Sequence, residues 1–491
     1  MKTTRKRNLI AIALVCVVAF TAVSIRAADA PTEPIGGQPA PGAKPSVKNL
    51  EDQVVYQRAF EAVIWSQPAV GIYGLRRTFF NDLGVKDNDI LANSSTLTAR
   101  HEYLTANSST PYVAAVTDLR QGPVVLELPA ASAKGVLFGQ IVDAWQETVA
   151  DVGPSGMDKG KGGKYLLLPP GYKEPVPEGY FAIHSQNYLL TFAFRSIRLP
   201  GMSDADANAY ARTLKMYPLS DAANPKPTRF FDGIAKRNSS LPYYDFRYFQ
   251  ELHEIISIEP VRPRDKMMMG WLASIGIEAG KPFNPTPKAR AAMERAVVDA
   301  YFYMQDLVEK AQAKNLYWPD RHWSYFFITD ANGGFTFDTD NMLETDKRAV
   351  IYHPATLFPA RLPARPATVY LCGMADSEGR PLAAGKTYRL RVPKDVPVKQ
   401  FWAVNVYDFA TWAFIYNPLD RVGLNSYLKP NMKLNDDGSM DLYIGPKAPK
   451  GLESNWIPTQ GKRPFPVVRM YGADEAFWDK SFKMPDVELV K

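Results

Sequence analysis

The chain has 491 residues, of which 46% are hydrophobic, 12% aromatic and 22% charged, with 40 prolines, 32 glycines and only two cysteines. That balance excludes a disordered or collagen-like chain, and its length suggests two or three domains with real cores. The formal charge is +7, but no Lys/Arg run marks a nucleic-acid surface, so no nucleic-acid partner is expected.

The N-terminus reads as a leader. Lys2, Arg5, Lys6 and Arg7 precede an apolar run from Leu9 to Val23 broken only by Thr21, and Ala28-Asp29-Ala30 supplies a small-x-small cleavage pattern. The run is about fifteen residues, short of the roughly twenty that a bilayer-spanning helix needs. Residues 1–30 are therefore expected to be a signal peptide, and the protein to be exported, periplasmic or secreted, with no membrane span after cleavage. The leader carries Lys2, Arg5, Lys6, Arg7 and Arg26 against Asp29, so +3 of the formal +7 stays with residues 31–491. Cys16 leaves with it, and Cys372, inside the apolar VYLCGM, reads as a buried strand residue. One cysteine makes neither an internal disulfide nor a Cys-based metal site.

Residues 31–50 are a flexible Pro/Gly-rich spacer. Glu51 to Ser66 then carries Val55, Ala59, Ala62 and Val63 at helical spacing, with Pro68 as the expected stop. From about residue 95 the pattern turns to strands: YVAAVTDL (112–119), PVVLELP (123–129), KYLLLPPG (164–171) and YFAIHSQNYLLTFAFRSIRL (180–199), with a basic loop at 153–164. These define an N-terminal β-domain over 51–235. A helical connecting section, 236–366, follows, with short helices around Arg247–Ile256 and Lys266–Ile275 and a long one opened by the cap Thr286-Pro287. Strands resume over 367–491. The fold class is mixed and β-rich: two β-sandwich-like, jelly-roll-like domains joined by a helical section.

Familiar catalytic patterns fail on spacing. Gly379 to Thr387 has five residues between its glycines, one more than a phosphate loop, and leads into the strand-like YRLRVP. No serine sits in a nucleophile elbow. The histidines His101, His184, His253, His322 and His353 contain no i, i+4 pair, so the sequence leaves a metal site unknown. No motif indicates a cofactor. Polar groups inside strand patterns are more informative. Alternation in VVRMYG puts Arg469 on one face with Val467 and Tyr471, and Val468 and Met470 on the other. Asn405 and Asp408 lie within FWAVNVYD, and Asn455-Trp456 precede Pro458.

Taken in order, FWAVNVYD (401–408), NPLDR (417–421), DGSMDLYI (437–444), NWIP (455–458) and RMY (469–471) resemble the bacterial domain of unknown function numbered 1214. NSSTPY (107–112), VTDLRQGPVVLELP (116–129) and GKYLLLPPGY (163–172) resemble the domain numbered 1254. The resemblance spans roughly 55–200 and 370–485, and it implies two β-sandwich-like domains held together by helices, often exported, with no established activity or cofactor. This chain departs from the pattern at Ser109, where an Asp is usual before Thr-x-Tyr, and at Thr459-Gln460, where small residues and a proline usually follow NW-x-P.

The functional expectation is an exported protein that binds a small polar or anionic organic ligand (a sugar, organic acid or phosphorylated compound) between the two β-domains, with processing of that ligand and enzymatic status left open. The candidate ligand-binding residues are Thr110, Tyr112, Asn455, Trp456, Arg469 and Tyr471. Arg469 would meet an anionic group, Trp456 would offer a flat apolar face, and Asp118 is the general-base candidate. The alternatives are a hydrolase with an Asp/Tyr/His acid–base site, and a structural envelope or interaction module. Oligomeric state is unknown from sequence.

Overall fold

The computed structural model describes residues 37–40, 42–199 and 201–490. The expected signal peptide, most of the spacer and the expected cleavage point lie outside them. The chain divides into a unit ending at Leu50 and a second over Glu51–Lys491. Between residues 37 and 49 the described chain holds only bends and turns.

Two sheets form the N-terminal β-domain. The larger has six strands in the order Phe230–Phe231, Ile90–Ala92, Tyr112–Asp118, Leu189–Ile197, Val136–Asp143, Thr148–Val152. The smaller has four: Lys215–Pro218, Val124–Leu128, Gly163–Leu168, Tyr180–His184. Val113, Ala115, Leu126, Tyr165, Leu167, Phe192 and Phe194 pack between them. The larger sheet is also covered on its outer face, where Ala114, Val116 and Ala193 meet Ile72 and Leu75 of the first helix and Phe79 just beyond its end. A strand buried on both faces shows a continuous apolar run rather than alternation, as YVAAVTD does.

The C-terminal domain repeats the two-sheet plan. Its five-stranded sheet runs Trp323–Tyr325, Thr368–Gly373, Pro464–Ala473, Val398–Asp408, Gly423–Asn425. Its four-stranded sheet runs Trp456–Pro458, Met440–Gly445, Tyr388–Val392, Glu488–Leu489. Val369, Leu371, Val404, Val468 and Met470 fill the space between them with Leu390 and Leu442. The protein is therefore mixed and β-rich, with a pair of sandwich-like domains. Cys372 is fully buried in its strand.

The helical layer gathers Phe246–Ile258, Lys266–Ser274 and Pro287–Lys314 around the first helix, with Ala59, Val63, Leu252, Leu272, Met293 and Ala300 in one core. Thr286 caps the long helix by accepting from the Ala289 N–H at 3.2 Å. The first helix does not stop at Pro68; it runs from Leu50 to Arg77. Proline costs an interior N–H bond, but every residue from Ala62 to Ile72 is buried. The Pro68 carbonyl accepts from Gln146 Nε2 at 2.7 Å, and Gly74 lets the helix press on the Ser240 backbone, where a Cβ would meet Ser240 O at 2.0 Å. Packing overrides the local stop signal.

A buried charge network ties helical layer to N-terminal domain. Arg262 pairs with Glu147 at 2.6 Å and with Asp143, while Arg264 reaches Glu147 at 2.6 Å and Asp338 at 2.7 Å. Glu259 accepts from Asn187 Nδ2 and from the Tyr188 and Leu189 N–H groups at 2.8–2.9 Å.

His353, just past the helix Thr345–Tyr352, is buried among Tyr244, Tyr301 and Trp412, with Nδ1 2.9 Å from the Tyr244 hydroxyl and Nε2 unpartnered. Burial holds its pKa down at about 3. The unfolded chain protonates this imidazole near pH 6.5 and the folded one does not until far lower. Stability is thus fully present above about pH 6.5 and is lost as pH falls toward 3. Urea unfolding is expected to show a loss of about 1.4 kcal/mol per pH unit from this residue across that window. His353→Asn should flatten the slope by about that amount; equal slopes in the two proteins would remove His353 as the cause.

Candidate functional site

The two β-domains meet through the outer faces of their larger sheets. On the N-terminal side, register places Phe138, Arg195 and Tyr112 in one row across three strands, with Gln140, Ala193 and Ala114 in the next. On the C-terminal side, Tyr370, Arg469 and Ala403 form a row, and Thr368, Tyr471 and Phe401 the next. Alanines at 114 and 193 leave room, and a cavity of about 430 Å³ opens over them. Tyr112, Gln140, Asp151 and Arg195 line it from one domain, and Phe326, Phe327, Thr368 and Tyr370 from the other side of the seam. The segment carrying Leu357, Phe358 and Arg361 closes it over. The size and the largely apolar walls, several of them aromatic, suit a small organic ligand.

Arg195 is the polar centre of this cavity. Its guanidinium lies 5.6 Å from the Phe138 ring centroid and 6.0 Å from that of Tyr112. Nη2 donates to the Tyr370 hydroxyl at 2.8 Å across the seam. Nε and Nη1 have no protein acceptor, and no carboxylate among the described residues pairs with it. Burial disfavours its charge, yet the surrounding Tyr112, Tyr370 and Tyr471 hold its pKa well above the usual value. Asp151, on the cavity wall, accepts from Gln140 Nε2 and the Ala360 N–H, both at 3.2 Å, and burial pushes its pKa up.

Arg469 stands behind Tyr370, not in the cavity. Its guanidinium lies 4.6 Å from the Tyr370 ring centroid. Nη2 donates to Thr105 O at 2.7 Å, Ala106 O at 3.1 Å and the Tyr407 hydroxyl at 2.6 Å. Nε and Nη1 are buried without partners, and so is the Tyr471 hydroxyl. Thr105 supplies its carbonyl from a left-handed backbone, φ 38°, which for a β-branched residue costs on the order of 1–3 kcal/mol. The conformation is held by Thr105 N–H to Trp412 O at 2.7 Å and Oγ1 to Pro354 O at 2.7 Å. Tyr370 feels both cations. Burial raises its phenol, but Arg195 and Arg469 outweigh that and lower it below the ordinary value.

The residues singled out from sequence divide accordingly. Tyr112 lines the cavity, while Arg469 and Tyr471 back it at one remove, opposite Tyr370 and Thr368 in the sheet. Thr110 is buried and accepts from Asn107 Nδ2 at 3.3 Å, away from the cavity. Asp118 is not brought to the site: it caps the turn Leu119–Gln121 and is bound by Arg120, whose bonds outweigh burial and lower its pKa. Asn455 fastens a loop by accepting from the Lys433 N–H and donating to Lys433 O and Asp441 O at 2.8–3.0 Å. Trp456 donates to Gly445 O at 2.8 Å. Arg195, Tyr370, Asp151 and Arg361 were not singled out. The signal for Arg195 was the one used for Arg469, a lone cation inside an apolar strand, here LLTFAFRSI. Among the described residues no cluster of His, Cys, Asp or Glu could hold a metal, and no helix is long and apolar enough to cross a membrane.

Residues 88–218 match the family described as protein of unknown function DUF1254, and residues 367–475 the one described as protein of unknown function DUF1214, in that order. Tyr112, Arg195, Tyr370 and Arg469 all fall within these segments. Among solved structures the chain is similar to the VPA0106 protein of Vibrio parahaemolyticus, at 19% identity and TM-score 0.51, over 89% of this chain and 100% of that one. An uncharacterised protein of Burkholderia cenocepacia aligns at 13% identity and TM-score 0.39, over 90% and 96%. The first likeness is one of fold. No curated protein matches.

The two arginines should differ in what their loss does to the fold. Arg195→Met strands no protein acceptor except the Tyr370 hydroxyl, so its unfolding free energy is expected to stay within about 1 kcal/mol of wild type. Arg469→Met deprives two buried carbonyls of a charged donor and should cost about 2–4 kcal/mol in denaturant unfolding. Equal losses would show that Arg195 is part of the structural frame.

Proposed function

We propose that this chain, which carries a DUF1254 segment followed by a DUF1214 segment, is an exported protein that binds a small organic anion with an apolar or aromatic body in the cavity between its β-domains. One observation carries the reading: Arg195 presents unpartnered N–H groups to an aromatic-walled cavity and has no carboxylate of its own. A half-buried guanidinium without a counter-anion retains free donors, and a ligand carboxylate would supply a counter-charge with matching fork geometry. The body of the ligand would lie against Phe138, Phe326, Phe327 and Phe358, which line the same cavity. A sugar is a poorer fit, because its many hydroxyls would face rings instead of acceptors. Export is supported by the leader-like residues 1–30.

A thermal-shift series tests this with matched aromatic carboxylates, aromatic phosphates, neutral amides and sugars. Aromatic carboxylates are expected to raise the unfolding midpoint, corresponding to about 2.7 kcal/mol at a hundredfold excess over Kd, and the amides and sugars to leave it unchanged. Arg195→Met should weaken the carboxylate by about 10- to 100-fold, the value of a charge-assisted bond of roughly 1.5–3 kcal/mol. A stronger response to phosphates would redirect the ligand class; no response to any anion, or full retention in Arg195→Met, would sink the reading.

A further inference from the structure

Arg195 and Arg469 share one group between them, the phenol of Tyr370. Arg195 donates to its oxygen at 2.8 Å from the cavity side, and Arg469 lies 4.6 Å from its ring centroid on the other. We propose that Tyr370 is the acid–base residue of a proton transfer on the bound anion, and that the substrate class is a 2-oxo acid with an apolar or aromatic side chain. The inference rests on the reading of the cavity as an organic-anion site and names what that site does.

Geometry and charge count point the same way. A carboxylate docked on Arg195 through the second Nη2 hydrogen together with Nε or Nη1 stands beside the Tyr370 oxygen, because the same Nη2 donates to the phenol. Two guanidiniums flank the one phenol, so a phenolate offsets one of them and a bound monoanion the other. Three other titratable groups near Tyr370 hold their protons more tightly. Burial raises the phenols of Tyr407 and Tyr471 and the thiol of Cys372. Tyr103, Tyr112, Asp151 and Arg361 complete the cavity's ionisable set.

The step balances without a further reactant. The Tyr370 phenolate takes a proton from C3 of the 2-oxo acid. The C–H electron pair becomes the C2–C3 π bond, and the carbonyl π pair moves onto the keto oxygen, where the Arg195 guanidinium stabilises the enolate. The Tyr370 phenol then hands the proton to that oxygen, giving the enol, or back to C3. A 2-oxo acid fits because its keto group acidifies C3–H and places the new charge next to the carboxylate that Arg195 holds. A phenol lowered from its ordinary value is a better-populated base for such a transfer.

Phenylpyruvate is the probe: deuterium incorporation at C3 is followed by NMR in D2O with wild type, Tyr370→Phe and Arg195→Met, and binding is followed separately by thermal shift. Wild type should bind and accelerate exchange. Tyr370→Phe, which keeps the ring beside Arg469, should still bind while exchange falls about 10²- to 10⁴-fold; Arg195→Met should lose both. Absence of a wild-type thermal shift would overturn the ligand reading and this one with it. Binding without accelerated exchange, or exchange unaffected by Tyr370→Phe, would overturn the proton transfer alone. If Tyr370→Phe does not fold, the wild-type pH profile decides: exchange must rise through an ionisation below the ordinary tyrosine range near 10, and a flat profile would overturn the proposal.

Discussion

Two guanidiniums meet one phenol at the seam between the β-domains, and no carboxylate among the described residues pairs with either. Much of the local structure follows from that constraint. Arg469 is kept in place by backbone carbonyls rather than by charge, which requires Thr105 to hold its carbonyl from a left-handed backbone. Thr105 in turn is held by Trp412 and Pro354, so the C-terminal sheet, the N-terminal loop and the helical section are fastened around one cation. The aromatic surroundings are part of the same solution. Rings solvate a guanidinium through their faces while offering no formal charge that would quench it.

The contrast with the other buried arginines is what gives this arrangement meaning. Arg262 and Arg264 join the helical layer to the first β-domain, and each has carboxylates: Asp143 and Glu147 for one, Glu147 and Asp338 for the other. Arg262 and Arg264 are thus neutralised where they bind two layers together, although Arg348 nearby is buried without an ion pair among the described residues. At the inter-domain seam the chain supplies tyrosines instead. A tyrosine can carry negative charge or give it up, whereas a buried Asp beside two guanidiniums would be fixed as an anion and would occupy the place a ligand could take.

Strand alternation made much of this legible in sequence. VVRMYG assigned Arg469 and Tyr471 to one face and Val468 and Met470 to the core, and the register bears out that split. The two-sandwich plan with helices between was likewise readable from turn punctuation and the Thr286-Pro287 cap. The cavity was not, because its members lie in separate strands: Arg195 and Tyr370 are 175 residues apart and meet only when two sheets stack. Asp118 and Asn455 looked functional because they are polar and flank apolar runs, but such positions also suit turn caps and loop fasteners, and local hydrogen bonding claims both. Pro68 misled for the opposite reason. Its local penalty is real, yet it is small beside the burial of the helix that contains it.

The charge arrangement also bears on which anion the seam can hold. Arg469 is spent on the frame and on the Tyr370 ring, so Arg195 is the cation of the inner wall, while Arg361 lines the cavity from the exposed closing segment. A dianion would need a second guanidinium within contact distance, since Coulomb attraction falls quickly once water screens the pair. With one committed cation and one shared phenol, the cavity's inner end is matched to a single negative charge. Its outer end is apolar enough to reward a ligand whose remaining surface is hydrocarbon or aromatic. Polar and aromatic groups are interleaved on the cavity wall, with Phe138 5.6 Å from the Arg195 guanidinium. Changes at the seam that leave both cores intact would therefore alter what the cavity holds before they alter whether the chain folds.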